Sequence, residues 1–173
     1  MSSKPYIILE NAPKRADDIG AFLNKVISEI KTKILLSSLQ ENKLRFVIIE
    51  LCTNCIKHTK GNNCVFEIGV SEDNIQISKK VFDHCFKPNL LEKIGQLEIG
   101  KVAEIYFSET NNHFIEILRE NKFRFLDPKK MGYTTDQLKD HFGLHIITIC
   151  SDDFIYEFDE IEKIEAFRVY MKI

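Results

Sequence analysis

The chain has 173 residues, of which 44% are hydrophobic and 29% are charged, and its formal net charge is −2. This length and composition fit one globular domain, residues 1–173, that can bury a core. The chain lacks the basic cluster that a nucleic-acid partner requires and the run of about 18 apolar residues that a membrane span requires.

The N-terminal third begins with a short apolar run, Tyr6 to Leu9, which predicts an edge strand or a docked arm. Because the charged Glu10 follows directly, this run is too short for a signal peptide, and we expect a cytoplasmic protein. Between residues 16 and 38, apolar side chains recur every three or four positions. This spacing predicts an amphipathic helix.

A polar joint at residues 39–42 separates the first helix from a second one, which the pattern predicts over residues 43–59. Two strands follow at 64–70 and 74–79, joined by a short polar turn, and they are typical of a hairpin.

Residues 82–140 show helical rather than alternating spacing of apolar side chains, so we expect helices there. The end of the chain predicts a buried helix at 142–150, then strands at 154–158 and 165–173.

The five cysteines are odd in number and lie mostly in apolar runs, so we do not expect a disulfide framework. Cys52 and Cys55 have the spacing of a metal or redox pair. They fall inside the predicted second helix without a second pair, which favours simple packing over a zinc site.

Four polar side chains share one narrow stripe of the second helix, which is apolar elsewhere. Glu50, Asn54 and His58 are spaced four apart, and Lys57 lies beside them. Because buried polar groups without partners are unfavourable, the stripe faces a polar cavity, a ligand or a matched structural network. We favour the cavity or the ligand.

The stretch at residues 50–59, Glu-Leu-Cys-Thr-Asn-Cys-Ile-Lys-His-Thr, resembles the N box of the GHKL (histidine-kinase-like) ATPase superfamily. The hairpin that follows, and the run Gly-Leu-His-Ile-Ile at 143–147 before two final strands, also match the order of elements in that superfamily. The chain is most similar to small single-domain SiaB-like kinases of bacterial partner-switching systems. The resemblance implies a Bergerat-type α/β fold, an α+β two-layer sandwich whose mixed or antiparallel sheet is covered on one face by helices.

The resemblance also implies roles for individual residues. Glu50 would orient or deprotonate water or an acceptor hydroxyl, and Asn54 would hold Mg²⁺ against the phosphates of ATP. Lys57 would lie near phosphate oxygens, whereas the role of His58 is undefined. The implied nucleotide-binding residues are Asn54, Lys57, His58, Gly143 and Leu144.

Both glycine motifs of the superfamily are incomplete. Residues 77–83 contain no Asp-x-Gly-x-Gly run, and Gly143 alone remains of the second motif, Gly-x-Gly-Leu. Two functions therefore stay open. The chain is a regulatory ATP-binding protein or protein kinase that acts on a protein partner in bacterial signalling, or a catalytically inactive pseudo-ATPase that serves as a protein-interaction module. Either could act as a homodimer.

Overall fold

The structure is a computed structural model that describes residues 6–59, 63–82, 98–108, 111–132 and 143–173. In chain order, its elements are β1 (Tyr6–Asn11), a 3-10 turn (Ala16–Asp18), α1 (Ile19–Lys31), α2 (Ser38–His58), β2 (Cys64–Val70), β3 (Asn74–Phe82), β4 (Val102–Ser108), β5 (Asn111–Arg119), β6 (Lys122–Leu126), a second 3-10 turn (Pro128–Met131), α3 (Gly143–Cys150), β7 (Asp153–Asp159) and β8 (Ile164–Lys172).

The strands of the described residues form one eight-stranded sheet in the order β1-β2-β3-β8-β7-β6-β5-β4. Every neighbouring pair is antiparallel. The predicted α+β class with an antiparallel sheet is therefore confirmed. The first strand lies at an edge of this sheet, as its short apolar run predicts.

One face of the sheet carries the core. Along β2, Cys64, Phe66, Ile68 and Val70 are buried, and the residues between them are partly exposed. The ring of Phe22 on α1 lies 5.2 Å from that of Phe66, so the helices cover this face. A single hydrophobic cluster joins α1, α2 and α3 to the buried positions of the strands.

The opposite face of the sheet is lined by ion pairs between neighbouring strands. Glu157 on β7 receives Lys122 and Arg168 from the strands on either side. Lys80 and Glu67 form a similar pair across β3 and β2. The alternation along each strand thus separates an apolar, helix-covered face from a charged one.

The boundary between the first two helices differs from the prediction. Helix α1 ends at Lys31, and α2 begins at Ser38, so residues 39–42 are helical and the predicted polar joint is wrong. The reason is a capping box. The Ser37 hydroxyl accepts a hydrogen bond from the Gln40 backbone N–H at 3.3 Å, and the Gln40 side chain accepts one from the Ser37 N–H at 2.9 Å.

Replacing Ser37 by alanine should lower the free energy of unfolding by about 1 kcal/mol, because the Gln40 N–H then loses its acceptor and the Gln40 side chain loses the hydrogen bond from the Ser37 hydroxyl. Urea denaturation would measure the loss. Ser38→Ala is the matched control, since Ser38 lies one position inside the helix and does not form the cap. Equal losses in the two variants would contradict the importance of the capping box.

The middle of the chain also differs from the prediction, because most of its described residues form strands and none form an α-helix. In β5 the buried side chains are His113, Ile115 and Ile117, two apart, and in β6 they are Phe123 and Phe125. The helical interpretation of 82–140 is therefore wrong for β4, β5 and β6. Residues 83–97 and 133–142 lie outside the described residues.

The C-terminal prediction is confirmed within its described residues. Helix α3 and strands β7 and β8 lie within one or two residues of the ranges predicted for them. Across the described ranges, no helix is both long enough and apolar enough to cross a bilayer.

Candidate functional site

The polar stripe of α2 meets the N-terminus of α3. A Cβ atom at Gly143, the first residue of α3, would lie 2.6 Å from Glu50 Oε2 and 3.8 Å from Asn54 Oδ1. The first distance is well inside van der Waals contact. Because Gly143 has no side chain, α3 begins directly against the carboxylate and the amide, and the structure brings these three predicted residues together.

Packing behind this junction fixes the position of α3. The imidazole rings of His145 on α3 and His113 on β5 are stacked with their centroids 4.0 Å apart, and both side chains are buried. Ile147, about one turn after Gly143, is fully buried in the core. The start of α3 is therefore held at α2 by the sheet beneath it.

Glu50 and Asn54 are half-buried, yet neither side chain forms a hydrogen bond or an ion pair within the described ranges. A structural network would have satisfied these groups with protein partners. Within those residues no such network holds the pair, and the cavity or ligand favoured from the sequence stays a prediction.

Partial burial raises the pKa of the Glu50 carboxyl above its ordinary value, and the positive charge of Lys57 partly opposes this shift. A carboxylate with a raised pKa is a stronger base and accepts a proton more readily near neutral pH. The environment of Glu50 therefore suits base chemistry better than a fully solvated position would.

The other predicted residues belong to the same two helices, α2 and α3. Lys57 and His58 are exposed on the last turn of α2, and Lys57 is close enough to act on the charge of Glu50. Leu144 is half-buried and packs against the hydrophobic core. Its side chain thus anchors α3, and the backbone of Gly143 is the part of the motif that reaches the polar pair.

The oxygen ligands at the junction fit a metal ion that is held mainly by a bound phosphate. Mg²⁺ typically takes only one or two protein oxygens and leaves its other positions to phosphate and water. Within the described residues, no group of three or more His, Cys, Asp or Glu could hold a metal ion by itself. Asn54 can therefore contribute one ligand but not build a complete cage.

Sequence reasoning missed Lys79, whose side chain is only 3% exposed. It lies on the core face of β3, in line with Ile75, Ile77 and Val81. The signal was present in the sequence, because the period of two along this strand puts residue 79 on the same face as its apolar neighbours.

No protein-family model matches the chain, and no curated protein matches it. The resemblance to the N box accordingly depends on the residues of α2 and α3 themselves. The geometric basis for a functional proposal is the approach of Glu50 and Asn54 on α2 to Gly143 on α3.

We expect Glu50→Ala and Asn54→Ala each to change the free energy of unfolding by less than about 1.5 kcal/mol, because neither side chain has a partner to lose among the described residues. The effect of Glu50→Ala should depend on pH. Since the folded-state pKa of Glu50 is raised, its contribution to stability is present at low pH and is lost as the pH rises through that pKa. Glu50→Ala should thus be less harmful at about pH 8 than at about pH 4.

Glu41 on the same helix is the matched control. Hydrogen bonds from Lys31 and Arg45 lower the pKa of Glu41, so its contribution is lost as the pH falls, and Glu41→Ala should show the opposite trend. Urea denaturation at the two pH values measures both. Losses of about 3 kcal/mol or more for Glu50→Ala or Asn54→Ala would mean a buried structural network instead.

Proposed function

We propose that the protein has the Bergerat-type fold of the GHKL superfamily and binds Mg²⁺-ATP at the junction of α2 and α3, as a regulatory protein of bacterial partner-switching signalling. The observation that carries the proposal is the convergence of Glu50 and Asn54, without protein partners in the described residues, on Gly143.

The junction offers three features that a nucleotide phosphate needs. The N-terminus of α3 presents backbone N–H groups that no earlier turn of the helix satisfies, and these groups attract anions. Gly143 leaves room for a close approach to them. Lys57, exposed at the end of α2, adds a positive charge on the same side of the helix as Glu50.

Asn54 would hold the metal through its amide oxygen, a hard ligand of the kind that Mg²⁺ accepts. The metal would neutralise charge on the phosphates. Glu50, one turn earlier, would orient water or the hydroxyl of a protein acceptor and take its proton. A kinase that modifies a protein partner needs little more than this positioning and charge compensation.

A specific observation favours the second function, a pseudo-ATPase that acts as a protein-interaction module. Strand β3 stays paired on both sides to its end, with Val81 opposite Cys64 and Phe82 opposite Ile164. In the superfamily, the Asp-x-Gly-x-Gly run that receives adenine comes after this strand. Residues 77–82 form regular sheet, so they provide no glycine loop for the base.

Gly143→Ala provides the test, because the new Cβ would displace the Glu50 carboxylate and fill the space at the start of α3. We expect the variant to bind Mg²⁺-ATP at least about tenfold more weakly than the wild type, a loss of about 1.4 kcal/mol. Titration calorimetry measures the affinity directly.

Gly20→Ala is the matched control, since Gly20 lies in the first turn of α1 and a Cβ there meets no atom within 4 Å. Equal affinities of the two variants would place any nucleotide elsewhere. A wild-type protein that binds no nucleotide would leave the interaction module as the function.

A further inference from the structure

Three cysteines in the C-terminal half of α2 and at the start of β2 are buried, and so is the Lys79 side chain on β3. Cys52 and Cys55 lie on α2, and Cys64 is the first residue of β2. All three are buried, and the ammonium of Lys79 acts electrostatically on each of them. Lys79 forms no ion pair within the described residues, and its Nζ lies 4.4 Å from the centre of the Phe167 ring.

The pair suggested by sequence spacing is not the pair that the fold brings together. The Cys64 side chain lowers the pKa of the Cys55 thiol and the Cys55 side chain raises the pKa of the Cys64 thiol, although one is on a helix and the other on a strand. The Cys55 sulfur also lies 3.5 Å from the hydroxyl oxygen of Thr59. Cys55 and Cys64 also line the same cavity, so the fold brings to one place the two thiols that a disulfide would join.

A cavity of about 230 Å³ reaches this pair. The buried residues Cys55, Thr59 and Cys64 line it, and so do the exposed residues Asn11 and Asn63. A water molecule needs only about 10–15 Å³ by the same kind of measure, so a small hydroperoxide fits. Cys52 does not line the cavity.

We propose that Cys55 and Cys64 are a redox pair that a hydroperoxide converts to a disulfide. The Cys55 sulfur attacks one peroxide oxygen, the O–O bond breaks, and sulfenic acid forms with release of water or an alcohol. The Cys64 sulfur then attacks the Cys55 sulfur, the S–O bond breaks, and water leaves as the disulfide forms. Two electrons pass from the two thiols to one hydroperoxide.

The buried ammonium explains why this pair would react rather than remain inert like most buried cysteines. Sulfur must carry negative charge when it attacks oxygen, and a nearby cation in a low-dielectric site stabilises that charge. The Phe167 ring and the register of β3 fix the Lys79 side chain on the core face of the sheet, so its effect on the two thiols is built into the fold. The proposal does not depend on nucleotide binding.

The test is to treat the full chain with one equivalent of hydrogen peroxide and to map its cysteines by mass spectrometry. We expect a disulfide between Cys55 and Cys64, a mass lower by about 2 Da, and full reversal by dithiothreitol. In Cys64→Ser, dimedone should trap the sulfenic acid at Cys55. Lys79→Met, which keeps the side-chain volume, should slow the oxidation at least about tenfold.

Cys150→Ser is the matched control and should leave the reaction unchanged, because Cys150 lies on α3 outside the thiol cluster. Cys85 lies outside the described residues and is followed in the same peptide map. A disulfide between Cys52 and Cys55, a reaction confined to Cys85 or Cys150, or no loss of thiols at all would each overturn the proposal.

Discussion

At about 100 times its dissociation constant, Mg²⁺-ATP should raise the melting temperature of the protein by roughly 5 to 11 °C. A ligand at that excess stabilises the folded state by about 2.7 kcal/mol, and each kcal/mol moves the midpoint of a chain of this length by roughly 2 to 4 °C. Differential scanning fluorimetry across a range of ATP concentrations measures this shift.

Asn54→Ala should lose most of the shift, and chelation of Mg²⁺ should remove part of it, because both changes take away the contact between metal and phosphate. Asn42→Ala is the matched control, since Asn42 is exposed on the same helix and should keep the full shift. No shift up to roughly ten millimolar ATP would remove the kinase proposal and leave the pseudo-ATPase. A shift that Asn54→Ala leaves intact would contradict the site itself.

Phe125→Ala should lower the free energy of unfolding by about 3 to 5 kcal/mol, the usual loss for an aromatic ring removed from a core. The Phe125 ring is 4% exposed and stacks on Phe154 with centroids 4.4 Å apart. It also makes an edge-on contact with His113, which in turn stacks on His145 of α3. Removal of the ring should therefore weaken the packing of α3 on the sheet as well as the packing within the sheet.

Phe46→Ala is the matched control for this variant, because the Phe46 side chain on α2 is 54% exposed and the chemical change is the same. We expect it to cost less than about 1 kcal/mol by urea denaturation. If Phe125→Ala cost as little, the Phe125 side chain would not be part of the core, and the placement of β6 in the eight-stranded sheet would be wrong.

Sequence patterns predict the two ends of the fold and the polar stripe because each of these depends on local spacing. The helical prediction for the middle of the chain, residues 82–140, is wrong in β4, β5 and β6 for a physical reason. Phe114, Ile117 and Leu118 mimic helical spacing, but in β5 they lie on both faces of a strand whose partners are distant in sequence. The capping box at Ser37 is a local signal, and a search for it would have placed the start of α2 correctly.

The geometry of the site could be predicted only in part. The spacing of four puts Glu50 and Asn54 on one stripe, whereas the approach of Gly143 to them depends on how α3 packs on the sheet. The meeting of Cys55 and Cys64 at one cavity also depends on tertiary packing, since a helix and a strand must first be docked.

The strand order divides the chain into two halves that meet in the middle of the sheet. Strands β1 to β3 come from the first half, β4 to β8 come from the second, and only the pairing of β3 with β8 joins them. That pairing closes a loop on the order of 90 residues, the longest in the sheet, and loop closure of this kind slows folding. Glu50 and Asn54 belong to the first half and Gly143 to the second. The two sides of the site therefore come together only when the halves have joined, so ligand binding there would report the last step of folding and not the formation of either half.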